Sequence, residues 1–126
     1  MYVTTSLIAS FFLLSNAMEQ NTGKRQVLIF GQPHSQVVVQ QLELLKKDAV
    51  EVAERDIIIT LVAIESPAYK KYKVEPSTPL TVILVGKDGG EKHRTHAVLT
   101  ARQLFALVDA MPMRQAEMRN AKEPRH

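Results

Sequence analysis

The run Ile57-Ile58-Ile59-Thr60-Leu61-Val62-Ala63-Ile64 constrains this chain more than any other stretch, because it is nearly continuous in apolar, β-branched residues. Such a run suits a strand covered on both faces, as in a parallel sheet flanked by helices. Upstream, Lys24-Arg25-Gln26-Val27-Leu28-Ile29-Phe30 turns apolar over its last four residues and stops at Gly31-Gln32-Pro33. That is the pattern of a second buried strand ending in a loop. Between the two, Val38, Leu42, Leu45, Ala49 and Val52 recur at spacings of four, three, four and three. They form one stripe of an amphipathic helix, with Gln36, Gln40, Lys47, Glu51 and Glu54 on the other face and Ser35 as its N-cap. Strand, long helix and strand in that order make a βαβ unit, whose crossover is expected to be right-handed.

After this unit, Ser66-Pro67 can open a short helix, with Pro67 at its first position and Tyr69 and Tyr72 three residues apart. Leu80 to Val85 reads as another strand, and Gly86-Lys87-Asp88-Gly89-Gly90 as a hairpin turn that returns Glu91 to His96 antiparallel. Thr100 caps a last helix that buries Leu104, Leu107 and Val108; Met111-Pro112 ends it, and residues 113–126 are expected as a polar tail. The 126 residues fit one domain, with no internal repeat. The expected architecture is α/β: a central mixed sheet, order β-α-β-α-β-β-α, with helices on both faces, over residues 25–112.

Residues 1–17 carry no charged side chain. Leu7 to Leu14 is an apolar run of signal-peptide length, too short to span a bilayer, and Ser15-Asn16-Ala17 supplies the small residues a signal peptidase needs. The segment is expected to be cleaved near Ala17, leaving a flexible lead-in over 18–24, no membrane span, and a periplasmic or extracellular protein; an uncleaved N-terminal anchor is the alternative. Small exported domains often lean on disulfides. This chain has no cysteine, so packing alone must hold it.

The same absence removes thiolate nucleophiles, Cys-ligated zinc and iron–sulfur clusters. A net charge of +3, no Trp and 6% aromatic residues do not mark a nucleic-acid binder. Gly86 and Gly89-Gly90 lie between two strands, the wrong context for a phosphate loop. His93 and His96 are three apart, so on a regular strand they point to opposite faces and cannot share a metal. Met111, Met113 and Met118 are soft ligands that suit Cu(I), though methionine more commonly fills gaps in cores. No cofactor and no resident metal are expected.

The element order is that of the thioredoxin fold. More closely, Leu84-Val85-Gly86-Lys87-Asp88-Gly89-Gly90 together with Asp109-Ala110-Met111-Pro112-Met113-Arg114 resembles the family called domain of unknown function 4174. The resemblance implies a thioredoxin-like domain of bacterial exported proteins and of larger extracellular matrix proteins, without an established activity. Thioredoxins carry their redox dithiol in the loop after the first strand of this pattern, here Gly31-Gln32-Pro33-His34-Ser35, where no thiol exists. Pro79 stands two residues before Thr81, and Pro76 is a second candidate for the proline that thioredoxins place beside that loop. An X-Pro bond is trans by default.

These readings lead to a non-catalytic, exported binding module with no catalytic residues. Its expected binding residues are Gln32, His34, Ser35 and Pro79, and its expected partner is an envelope protein or an anionic envelope component such as phospholipid head groups or acidic glycans. The alternative is a copper-binding or oxidative-stress protein that uses its Met and His residues.

Overall fold

The computed structural model describes residues 12–13 and 23–122. The strands are β1 (Phe12–Leu13), β2 (Arg25–Phe30), β3 (Ile57–Val62), β4 (Thr81–Val85) and β5 (Glu91–Thr95). The helices are α1 (Gln36–Lys46), α2 (Ala49–Glu54), α3 (Ala68–Lys71), α4 (Ala101–Asp109) and α5 (Pro112–Lys122). One mixed sheet has the order β1-β3-β2-β4-β5. The pairs β1–β3 and β3–β2 are parallel, and β2–β4 and β4–β5 are antiparallel. Phe12 and Leu13 pair with Ile59 and Thr60, so residues inside the expected leader extend the sheet beyond β3.

Strand side chains alternate, so the three inner strands, β3, β2 and β4, feed two cores. Val27, Ile29, Ile57, Ile59, Val82 and Leu84 meet α1, α2 and α4 on one face. Leu28, Phe30, Val62, Ile83 and Val85 meet Ala68 and Tyr69 of α3 on the other. Coverage from both sides is why these strands are written as unbroken apolar runs. The helix-covered core is tied across by one polar side chain. Gln41 of α1 is fully buried; its amide donates to the Leu99 carbonyl at 2.8 Å and accepts the Leu99 N–H at 2.7 Å.

Two expectations are corrected. The stripe from Val38 to Val52 is carried by two helices, not one. Asp48 breaks the run at φ −112°, ψ 37°, and its N–H reaches back three residues to the Leu45 carbonyl instead of four. Aspartate is among the poorer residues for a helix interior, and Val52 N–H bonds the Asp48 carbonyl as α2 starts. Leu45 and Val52 both stay buried across the break.

The second correction concerns residues 113–126, expected as a polar tail: residues 112–122 form α5. Pro112 ends α4 and also opens α5, because a proline at the first helical position lacks an N–H that would have no partner there. Among the described residues no peptide bond is cis, so Pro76 and Pro79 both follow trans bonds.

Candidate functional site

At one end of the sheet, β2 runs into Gly31. A Cβ on Gly31 would lie 2.7 Å from the Pro79 carbonyl oxygen and 2.6 Å from Val38 Cγ2. Only a residue without a side chain lets these two segments approach so closely. Gly31 thereby sets the loop of Gln32, His34 and Ser35 beside Pro79, and the four expected binding residues gather at one end of the sheet. Gln32, Pro33, His34 and Pro79 are exposed, while Ser35 is half-buried. Ser35 caps α1: its hydroxyl accepts the Val38 N–H at 3.4 Å, and its own N–H donates to the Gln32 carbonyl at 3.0 Å. No hydrogen bond among the described residues brings a base to that hydroxyl, and a serine nucleophile needs one.

Under the loop, Phe30 packs edge-on against Tyr69, ring centres 5.0 Å apart, and against Tyr72 at 6.4 Å. The Tyr69 hydroxyl is buried without a well-formed hydrogen bond. Burial pushes its pKa up, opposed by the Gly31 backbone. The two histidines of the H-x-x-H pattern separate. His93 stays on β5, whereas His96 lies past its end, hydrogen-bonded to the Thr81 hydroxyl at 3.1 Å. Among the described residues no three His, Asp or Glu are grouped to hold a metal ion.

The other end of the sheet carries a cluster that sequence reading left unassigned. Arg25 opens β2 yet is only 1% exposed. Its guanidinium donates to the Arg55 carbonyl at 2.8 Å and to both Glu117 carboxylate oxygens at 3.3 Å. Lys87 Nζ donates to Glu117 at 2.6 Å and to Asp56 at 2.9 Å. Arg55 grips Asp109 with two bonds of 3.0 Å and lies over the Phe105 ring, while Arg114 reaches the same carboxylate at 3.1 Å.

The charges hold one another ionised. The Lys87 hydrogen bond is the main reason Asp56 sits below the usual carboxylate range. Burial pushes Asp109 and Glu117 upward, but hydrogen bonds from Arg55 and Arg114, and from Lys87 and Arg25, outweigh it and leave both lowered. Lys87 is raised, chiefly by Glu117 and then by Asp56. This network fastens α5 and the turn between α2 and β3 to the sheet.

Beside the network lies a cavity of about 270 Å³. Gly86, Lys87 and Asp88 of the β4–β5 turn form one wall, and Met111, Pro112 and Met113 of the α4–α5 junction form another. These belong to the two segments on which the family resemblance rests, which are far apart in the chain and meet here. Met111 and Met113 do share a cavity, but with Arg25, Lys87 and Lys92, whose positive charge disfavours a copper ion. The signal that could have exposed this end is a charged residue, Arg25, at the head of a strand that is otherwise buried.

Residues 17–117 match the family model described as Domain of unknown function (DUF4174). Chloroplastic thioredoxin z is similar with a TM-score of 0.61 at 16% identity, over 83% of this chain and 93% of that one. A malarial protein is similar with a TM-score of 0.53 at 19% identity, over 68% of this chain and 94% of its own. At such identities the likeness shows the fold alone. No curated protein matches the chain significantly. With a thioredoxin-like sheet, no cysteine for thiol–disulfide exchange, and a family match across most of its length, the chain belongs to the DUF4174 family.

Proposed function

We propose that this protein is an exported, non-catalytic binding module of the cell envelope, which uses the Gln32–Ser35 loop and Pro79 as its contact surface. One observation carries the reading: the loop where thioredoxins do chemistry keeps its exposure and its close approach to the Pro79 segment, but holds no thiol and no paired nucleophile and base. A surface retained without its chemistry suits recognition. The uncharged apolar segment ending at Ser15-Asn16-Ala17 supports export, and no helix among the described residues is long and apolar enough to cross a membrane. The partner is an envelope protein or an anionic envelope component.

The test uses the secreted form and a loop variant that introduces negative charge, Gln32→Glu with His34→Glu. Intact mass of the exported protein should show a chain beginning at Met18. Photo-crosslinking in envelope extract should yield a reproducible partner that the variant loses while its unfolding midpoint stays unchanged. An exported chain still starting at Met1 removes the cleavage, and a partner set identical for both proteins removes the surface.

A further inference from the structure

We propose that the cavity between the β4–β5 turn and the start of α5 binds a small organic anion. Its oxyanion group would lie toward Arg25, Lys87 and Lys92, and its apolar body against Met111 and Met113. The cavity, about 270 Å³, is near the lower end of the range for small-molecule sites and far too small for a folded partner. Its lining carries three cations, Arg25, Lys87 and Lys92, against one carboxylate, Asp88. Asp56 and Glu117 offset Lys87, and Glu117 also pairs with Arg25, so the attraction rests mainly on Lys92 and on the unpartnered Nε–H of Arg25.

Arg25 supplies the sharpest sign. It is 1% exposed, its terminal nitrogens are engaged, and its Nε–H is buried with no hydrogen-bond partner. Buried donors are nearly always paired, and this one belongs to a residue of the cavity wall. Lys92 supplies a movable cation. The β4–β5 register passes from Leu84–His93 to Val85–Glu91, so Lys92 is skipped and its side chain folds across Gly86, where a Cβ would lie 2.5 Å from Lys92 Cε. Bulged residues are re-aimed in this way. Its partner Asp88 is 2.9 Å away, and the pair is 38% and 59% exposed, so an incoming anion can take Lys92 from it at little cost. The site lies at the opposite end of the sheet from the Gln32–Ser35 loop and does not depend on the function proposed for that loop.

Benzoate is the probe, followed by NMR on the full chain with labelled methionine methyls and backbone amides. Saturable shifts are expected at Met111, Met113 and Gly86, with acetate binding at least tenfold more weakly because it lacks the apolar body. Asp88→Asn keeps the acceptor for the Gly90 N–H, now at 2.9 Å, but removes the competing charge; it should tighten benzoate at least threefold. Lys92→Met should weaken it at least fivefold, and Gln32→Glu should change nothing. Both cavity variants alter exposed side chains, and their unfolding midpoints confirm an intact fold. The proposal is overturned if benzoate gives no saturable shift beyond that of matched sodium chloride, or if neither cavity variant changes its affinity.

Discussion

Replacing Glu117 with Gln tests whether α5 is an integral part of the fold or an appendage. Glu117 accepts two hydrogen bonds from Arg25 and one from Lys87. Lys87 keeps Asp56 after the change, but Arg25, at 1% exposure, keeps only the Arg55 carbonyl and a neutral amide. Breaking a buried ion pair from one side costs about 3–5 kcal/mol. Glu117 is 28% exposed, so water recovers part of this, and a loss of about 2–3 kcal/mol is expected. For a chain of this size that is roughly 8–12 °C in Tm.

Urea unfolding followed by circular dichroism at pH 7 measures the loss. The double variant with Arg25→Met should be less damaged than the two single losses summed, by about 1–2 kcal/mol, since the unpaired buried charge is then gone. Added salt should rescue little, because a buried charge is poorly screened. A loss below about 0.5 kcal/mol, additive with Arg25→Met, would refute the reasoning and return residues 113–122 to the status of a surface tail.

Gly31→Ala should cost at least ~2 kcal/mol in the same assay, because the new methyl meets the Pro79 carbonyl at 2.7 Å and backbone cannot yield as a side-chain tip can; an unchanged midpoint counts against that contact. Gln41→Leu makes the core more apolar yet should destabilise by about 2–3 kcal/mol, since the Leu99 N–H and carbonyl lose their buried partners. A neutral result means that water reaches Leu99. Asp56, Asp109 and Glu117 all have folded pKa values below their ordinary ones, so the unfolded chain binds more protons in acid. Their contribution is therefore complete above about pH 4.5 and lost as pH falls through the lowered values. Unfolding midpoints measured from pH 6 down to pH 3 should decline, less steeply in Glu117→Gln, and a flat profile refutes the network's role.

The four strands from β2 to β5 and the caps at Ser35 and Thr100 were legible in residue pattern because local chemistry decides them. Ser35 does accept the Val38 N–H, and Thr100 forms a full capping box with Gln103. The break at Asp48 was hidden, because the apolar stripe runs through it with its spacing intact and only the backbone records the interruption. The helix after Pro112 was hidden for a different reason. Its residues are mostly polar, and a helix held to the sheet through charge pairs leaves no hydrophobic period to read.

By itself, the sequence determined the α/β class, the two-sided burial of β3, the absence of thiol chemistry, and the family. Each of these follows from which residue types are present and how they are spaced locally. Tertiary structure alone decided that Gly31 meets Pro79, and that Arg25, Lys87 and Glu117 form one network. It also decided that the two family segments become walls of one cavity. Those contacts join residues far apart in the chain, and their energies depend on burial and mutual distance, which no local pattern of residues encodes.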